Sequence, residues 1–235
     1  MARNYHWNEF ADRAALATAL ADRIAGLLAS AIEKRGQALM AVSGGNTPKK
    51  LFQALSAQRI AWDKVIVTLI DERFVPASSP RSNAALVADN LLQNAAAAAR
   101  FVPLYREALT LEAAAQSDNA EMKLLPWPLD IAILGMGTDG HTASFFPDAD
   151  DLAALLDPAS TRIVLPVHAK SAGEPRLTLS AARIVEAGFL ALHIEGADKR
   201  AAFEAATGQP GAGGKKPVGV VIEQSPKPVE VFWAP

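Results

Sequence analysis

The chain contains no cysteine among its 235 residues. Structural disulfides and zinc sites built on thiolates are therefore excluded, and so is an extracellular scaffold held by disulfides. Aromatic residues make up only 6% of the sequence, and 23 basic residues nearly balance 25 acidic ones, for a net charge of −2. Because no basic block exists, the chain is not expected to bind nucleic acid.

Long apolar runs are also missing. No uninterrupted run reaches the ~20 residues that span a membrane, and the N-terminal decapeptide MARNYHWNEF lacks the apolar centre of a signal peptide. Half of the residues are hydrophobic, which is enough for one substantial core, and no linker or repeat divides the chain. We expect one domain over 1–235, a cytoplasmic monomer without membrane association.

The hydrophobic pattern alternates between helical and strand periods along the chain. Helices are predicted over residues 9–35, 49–57, 83–92, 107–124, 150–156, 181–186 and 196–207. Strands are predicted over residues 38–42, 65–70, 131–134, 162–168, 176–179, 189–194 and 229–233. Such alternation is typical of an α/β protein whose sheet is mostly parallel and covered by helices on both faces.

Three further segments fit these patterns less clearly. The alanine run 95–99 reads as a helix tail, and residues 217–222 fit either a short strand or a buried turn. The glycine-rich residues 209–216 suggest a mobile loop.

A polar turn, Gly135 to His141, directly follows the buried strand 131–134. Open α/β sheets bind ligands at the carboxyl ends of their strands, and a neutral imidazole is the usual general base near pH 7. His141 and the nearby Asp139 are therefore candidate catalytic residues. Asp139 or Thr142 could cap a short helix that Pro147 limits.

The same turn spells G-x-G-x-x-G, the pattern of a dinucleotide site. That site would need a smoothly running helix and an acidic residue about 20 positions on, after a second strand. Pro147 interrupts any long helix, and the acidic residues that follow stand in a loop-like or helix-starting segment, not after a strand. The sequence therefore disfavours a nucleotide cofactor.

The other three histidines, His6, His168 and His193, lie outside such a turn and fit structural roles. The four histidines also lack paired spacing, so no metal site is expected.

A second candidate loop follows the strand 38–42. Ser43, Gly44, Gly45, Asn46 and Thr47 precede Pro48 and a helix. Glycines let the backbone approach a ligand closely, and the N–H groups at a helix start favour an anion. We interpret this loop as a phosphate site, although a plain strand-to-helix turn has the same composition. The G-K-[ST] ending of a P-loop is absent.

Charged residues complete the candidate set. Asp71, Glu72 and Arg73 end the strand 65–70, where they could form either a solvated cluster or a site. Arg176 opens a strand and Lys199 lies in the first turn of a late helix. With a phosphate at the Ser43 loop, Arg176 would supply a planar fork and Lys199 a point charge.

Four segments in this order, SGGNTP, DERFVP with a later SN, GMGTDGHTASFFP and RLTL, resemble the 6-phosphogluconolactonases. These enzymes share a superfamily with the glucosamine-6-phosphate deaminases and isomerases. The resemblance implies a modified doubly wound fold. It also implies hydrolysis of 6-phospho-D-glucono-1,5-lactone to 6-phosphogluconate, the second step of the oxidative pentose phosphate pathway, with no metal or organic cofactor.

The resemblance also implies roles for single residues. His141 would be the base that acts on water, and Asp71, Arg73 and Asp139 would surround the sugar ring and the reacting carbonyl. The implied phosphate ligands are Gly44, Gly45, Asn46, Thr47, Arg176 and Lys199. Which aspartate orients the imidazole, and what Glu72 and Arg81 do, stays open.

Two other functions remain in view. The deaminases carry a glutamate five residues after the histidine, which aids ring opening, and here that position is Phe146. A lactone needs no such acid, so the phenylalanine favours the lactonase. A sugar-phosphate-sensing domain on the same fold usually accompanies a DNA-binding segment, and no basic helix-turn-helix candidate precedes residue 38.

Overall fold

The computed structural model describes residues 4–208 and 215–235, which form an α/β fold with two sheets. The strands are β1 Tyr5–Glu9, β2 Ala38–Val42, β3 Val65–Leu69, β4 Asp71–Arg73, β5 Arg100–Val102, β6 Ile131–Leu134, β7 Val164–Val167, β8 Arg176–Leu179, β9 Phe189–Glu195 and β10 Val229–Ala234. The helices are α1 Arg13–Arg35, α2 Lys49–Ser56, α3 Asn83–Asn90, α4 Leu111–Met122, α5 Leu152–Leu155, α6 Ala181–Val185, α7 Ala197–Thr207 and α8 Pro217–Gln224. Of the predicted loop 209–216, residues 209–214 lie outside the described part.

The main sheet has seven parallel strands in the order β1-β10-β9-β6-β2-β3-β5, which confirms the predicted parallel sheet. From β2 the chain moves outward through β3 to β5, then returns to β6 on the other side of β2. The strand order therefore reverses between β2 and β6, and open sheets bind ligands at such a point. The loops after β2 and β6 are the two that carry the candidate phosphate site and His141.

Helices cover the sheet in two groups. α1 packs on α2, which packs on α3, whereas α7 packs on α8, which packs on α6. Because β-α-β crossovers are right-handed, the reversal at β2 places the two groups on opposite faces. The buried apolar side chains form one continuous core.

A small antiparallel sheet, β4-β8-β7, extends from the tip of β3 and was not expected from the sequence. Residues 71–73 were read only as a charged cluster at the end of a strand, because three charges in a row give no strand signal. Their pairing with β8 sets Arg73 directly opposite Arg176. The small sheet therefore brings two guanidinium groups from distant parts of the sequence together.

The predicted helix 9–35 begins too early. Asp12 is the N-cap, and its carboxylate accepts hydrogen bonds from the backbone N–H groups of Ala14 (2.8 Å) and Ala15 (2.9 Å). The residues before it form β1, whose Tyr5 and Trp7 pack on Phe203. The Tyr5 and Trp7 ring centroids lie 5.0 and 5.4 Å, respectively, from that of Phe203. The aromatic residues of this strand pack on α7, which the sequence did not indicate.

By length and composition alone, α1 could cross a membrane. Eight of its residues, from Leu16 to Ala31, are nevertheless buried at helical spacing, as in a core helix. Gly36 closes the helix with φ +77°, a left-handed conformation that glycine adopts without strain.

Residues 217–222 form a helix, not the strand or buried turn that was expected. Pro217 occupies the first helical position, which suits proline. The valines and isoleucine suggested a strand, but Val218, Val221 and Ile222 bury one helical face, and this packing overrides their β propensity. The strand β5 was missed, and the alanine run forms a 3₁₀ turn over Asn94–Ala98.

One charged group is buried away from the strand tips. Asp118 of α4 has a fully buried side chain whose Oδ1 accepts from Arg106 Nε at 2.7 Å, while Oδ2 has no partner among the residues that the structure describes. Burial raises the pKa of Asp118 to about 6, and Arg106 opposes this shift. The folded state therefore binds the carboxyl proton of Asp118 more tightly than the unfolded state does. As a result, protonated Asp118 stabilises the fold below about pH 4.

We predict that this contribution disappears as pH rises from about 4 to about 6. Over that range the contribution of Asp118 to the wild-type unfolding free energy should fall by on the order of 3 kcal/mol, at 1.36 kcal/mol per pKa unit. The Asp118→Asn variant should lack this component, and the exposed Asp89→Asn variant should keep it. Urea unfolding at several pH values measures the difference, and parallel curves for wild type and Asp118→Asn would contradict the assignment.

Candidate active site

A cavity of about 260 Å³ opens at the carboxyl ends of β2 and β6. It is lined by the five residues of the Ser43 loop and by Asp71, Arg73, Asn83, His141, Arg176, His193 and Lys199, among others. Every candidate residue predicted from the sequence lines this cavity except Glu72 and Asp139, and Asp139 contacts the lining residue His141. Side chains from five separate segments therefore converge at the point where the strand order reverses.

His141 is fixed by its own turn. Asp139 Oδ1 lies 2.6 Å from the imidazole Nδ1 and also accepts from the His141 backbone N–H at 3.1 Å. The turn closes through Gly137 N–H to His141 O (2.8 Å) and Gly140 N–H to Gly137 O (3.1 Å). Asp139, rather than Asp71, is thus the aspartate that contacts the imidazole. With Nδ1 donating to the carboxylate, Nε2 presents its lone pair.

Gly137 is required by this pairing. A Cβ at position 137 would overlap the imidazole ring and the Asp139 carboxylate. Gly140 has φ +84°, and α8 docks on it through the backbone N–H of Val218 (3.1 Å to Gly140 O). Gly137, the second glycine of the G-x-G-x-x-G pattern, therefore lets the Asp–His pair pack closely.

The expected short helix after this turn does not form. Thr142 does not cap a helix; its hydroxyl donates to Gly135 O at 2.7 Å, and Phe145 N–H bonds Thr142 O at 3.0 Å in a tight turn. These contacts carry the chain inward, so that Phe146 is buried against the imidazole, with ring centroids 4.5 Å apart. The guanidinium of Arg176 also lies 5.5 Å from the centroid of the Phe146 ring.

The Ser43 loop is held against α3. A Cβ at Gly44 would overlap the side chain of Asn83, so glycine lets the loop pack on α3, and Gly45 has φ +94°. Ser43 N–H donates to Ile133 O at 3.0 Å, which ties the loop to β6. The loop leads through Pro48 into α2, so its backbone N–H groups stand at a helix start.

Several buried donors of the cavity have no partner within the described residues. They are the Ser43 hydroxyl and the Nε atoms of Arg73 and Arg176. Burial lowers the pKa of Arg176, against the opposing effect of Asp71. Unpaired buried donors cost free energy, and these three would recover it by bonding the oxygens of an anionic ligand. Lys199 adds a further donor to the cavity, and its Nζ donates to Met136 O at 2.8 Å.

Glu72, whose role the sequence left open, is fully buried behind the cavity. Its carboxylate accepts four hydrogen bonds, from the backbone N–H groups of Arg73, Asn83 and Ala84 and from the Ser82 hydroxyl, at 2.7 to 3.0 Å. Burial raises the pKa of Glu72, while these bonds oppose the rise. Glu72 therefore joins β4 to the start of α3.

Asn83 and His193 are cavity residues that the sequence analysis did not single out as site residues. Asn83 Nδ2 donates to Asp71 O at 2.8 Å and lies against Gly44. Only its place in the SN pair of the resemblance could have marked it. His193 lines the cavity from β9 although a purely structural role was expected of it. Arg81 is not among the lining residues and pairs with Glu174.

Asp71 faces the cavity with its carboxylate held in place. Its Oδ2 accepts from the Ser144 hydroxyl at 2.6 Å, and the side chain is mostly buried. Within residues 4–208 and 215–235, no three His, Asp or Glu side chains gather as ligands of a metal ion would. The cavity thus contains an imidazole with a partner carboxylate, two guanidinium groups, and the Ser43 loop as a candidate anion-binding site.

Comparison with known proteins places this site in a family. Residues 11–233 match the family described as glucosamine-6-phosphate isomerases/6-phosphogluconolactonase. A 6-phosphogluconolactonase of Mesorhizobium japonicum is 69% identical over 232 residues, which cover 99% of this chain and 96% of the relative. One of Rhizobium meliloti is 48% identical over 235 residues and all of both chains.

A solved structure agrees. The crystal structure of a 6-phosphogluconolactonase from Shewanella baltica superposes with a TM-score of 0.94, at 37% identity and 98% coverage of both chains. The fold predicted from the sequence is thus the fold of this family.

We predict that Glu72→Gln destabilises the protein. In the variant, the NH₂ group of the amide would face donors that bond the carboxylate in the wild type. Those buried donors would lose their acceptor, at a cost of about 2–4 kcal/mol. Guanidinium unfolding measures the change, with the exposed Glu186→Gln as the matched control. Equal stability of the Glu72→Gln and Glu186→Gln variants would contradict the role given to Glu72.

Proposed function

The chain belongs to the family of glucosamine-6-phosphate isomerases and 6-phosphogluconolactonases, and we propose that it hydrolyses 6-phospho-D-glucono-1,5-lactone with a water activated by His141. The activity, that of a 6-phosphogluconolactonase of the pentose phosphate pathway, follows from the curated relatives. The assignment of roles to residues is our proposal, and the contact between Asp139 and His141 is the observation that carries it.

The first step is attack on the lactone carbonyl. His141 Nε2 takes a proton from a water molecule as the water oxygen bonds to the carbonyl carbon. Asp139 holds the imidazole through Nδ1 and stabilises the positive charge that forms on the ring. The 2.6 Å separation of these atoms supports this role.

The tetrahedral intermediate carries its negative charge on the former carbonyl oxygen. Arg73, whose Nε is unpartnered in the described residues, would stabilise that oxyanion. The intermediate then collapses: the bond between the carbonyl carbon and the ring oxygen breaks, and the imidazolium returns its proton to that oxygen. The product is 6-phosphogluconate, and the imidazole is neutral again.

Phosphate binding positions the substrate for this attack. The Ser43 loop, Arg176 and Lys199 would hold the phosphate, and Asp71 would bond a sugar hydroxyl. Binding energy at the phosphate, distant from the carbonyl, serves to orient the ring for reaction. The cavity needs no metal for these steps, and we expect no cofactor.

The two rival functions make distinct predictions. A deaminase would release ammonia from glucosamine 6-phosphate, but the position of its ring-opening glutamate is held by the buried, apolar Phe146. A sensor would bind sugar phosphates tightly without turnover, which the Asp139–His141 pair does not favour. A lactone assay corrected for spontaneous hydrolysis, run beside an ammonia assay, distinguishes the three.

We also propose that residues 1–235 act as one catalytic domain in a cytoplasmic monomer that does not bind nucleic acid or membranes. One continuous core and the lack of cysteine support this proposal. Gel filtration with light scattering measures the mass in solution.

We predict that His141→Asn loses most turnover. Without the general base, kcat should fall by about 10² to 10⁴-fold, while the unfolding midpoint stays near that of wild type because the side chain is partly exposed. His168→Asn is the matched control, since His168 also contacts an acidic side chain but lies outside the cavity. Wild-type turnover in the His141→Asn variant would remove His141 from the mechanism.

We predict a second loss of kcat from Gly137→Ala. The added methyl group would push the imidazole away from Asp139, and a misplaced base should lower kcat about 10- to 100-fold. Gly26→Ala in α1, where a Cβ meets no atom within 4 Å, is the control for the change in residue type. Unchanged kcat in Gly137→Ala would mean that the close packing of the Asp–His pair does not limit the reaction.

A further inference from the structure

His193 is the one histidine besides His141 that lines the cavity within the described residues. Its side chain is only 2% exposed. Leu192 pairs with Leu134 of β6, so His193 stands beside Gly135. A Cβ at Gly135 would meet no atom within 4 Å, so there is open space beside Gly135, and His193 is among the residues that line the cavity.

The two ring nitrogens of His193 have different surroundings. Nε2 lies 3.2 Å from Glu195 Oε1, and Glu195 Oε2 lies 3.4 Å from Arg13 Nε. Because an ionised carboxylate only accepts hydrogen bonds, Nε2 carries a hydrogen, and in the neutral ring Nδ1 then keeps a lone pair. Nδ1 is buried and has no partner within the described residues. Such an atom costs free energy unless a ligand or water bonds it.

We propose that His193 is a further substrate contact, whose Nδ1 takes up one proton from solvent and donates it in a hydrogen bond to the substrate phosphate. This inference rests on the proposed function, which supplies the phosphorylated substrate. A phosphate oxygen only accepts hydrogen bonds, so it can pair with Nδ1 only when that atom is protonated. The imidazolium would then lie between two anions, Glu195 and the phosphate, and both stabilise it.

Other charged groups act on the same proton. Arg13, which pairs with Glu195, and Lys199, which lines the same cavity, disfavour a positive charge on the ring, whereas Glu195, which contacts Nε2, favours one. In the free protein Arg13 is paired with Glu195, which weakens the pull of that carboxylate on the ring. The phosphate supplies the extra negative charge that makes proton uptake favourable.

The wild-type protein gives the first test. It has only four histidines, so nitrogen-15 NMR can follow each imidazole separately. On titration with 6-phosphogluconate, and separately with inorganic phosphate, the Nδ1 signal of His193 should move from an unprotonated to a protonated value. If the His141 or Lys199 signals show that the ligand has saturated the site while His193 Nδ1 stays unprotonated, the proposal is overturned.

Two substitutions give the second test. In His193→Asn the amide stands near the position of Nδ1, whereas in His193→Gln it stands near that of Nε2. We expect KM for the lactone to rise about tenfold in His193→Gln and less in His193→Asn, with kcat nearly unchanged in both. Calorimetry in buffers of different ionisation enthalpy should show less proton uptake per bound 6-phosphogluconate in both variants than in wild type. His168→Gln, also a histidine beside a glutamate, should match wild type.

The outcomes separate this inference from the function on which it rests. Wild-type lactone turnover with equal KM and equal proton uptake in wild type and variants overturns the role of His193 alone. Absence of wild-type turnover overturns the proposed function, and the titration with inorganic phosphate then decides whether His193 contacts an anion. If both variants fail to fold, the wild-type NMR titration decides.

Discussion

One buried carboxylate, that of Glu72, connects the elements around the cavity. Its four hydrogen bonds join β4 to the first turn of α3, and through Asn83 they set the position of the glycine loop after β2. β4 in turn presents Asp71 and Arg73 to the cavity and pairs with β8, which carries Arg176. A carboxylate that accepts four short bonds has little freedom to move, so the residues it connects are fixed relative to one another.

The Glu72 carboxylate is fully hydrogen-bonded, whereas several polar atoms of the cavity residues are not. Ser43, Arg73, Arg176 and His193 each keep a buried polar atom without a partner among the described residues. A fold that satisfies Glu72 fully and leaves these atoms unpaired stores unfavourable free energy at one place, which an anionic ligand can relieve. The Glu72 carboxylate behind the cavity fixes the backbone of Arg73 and the start of α3 before the ligand arrives, so less of the binding energy goes into ordering the protein.

The sequence predicts the parallel sheet well, because the buried strands β2, β3, β6 and β9 are short runs of almost entirely apolar residues. It also predicts which loops meet, since both follow strands that end at the same edge of the sheet. It fails where tertiary contacts decide. The strand β4 consists of three charged residues, and α8 is rich in β-branched residues whose helical face is buried by neighbours. The choice between Asp71 and Asp139, and the presence of His193 in the cavity, depend on distances between elements that no spacing in the sequence encodes.

The position of β10 has a consequence for how the chain folds during its synthesis. β10 (Val229–Ala234) lies between β1 and β9, so β1 has no partner in the sheet until more than 200 residues of chain have followed it. A ribosome adds about 5–20 residues per second. The segment Tyr5–Glu9 is therefore synthesised on the order of ten seconds or more before its pairing partner β10. During that time its edge is open to other nascent chains, and closing the sheet depends on a contact between the two most distant strands of the sequence, the slowest kind of pairing to form.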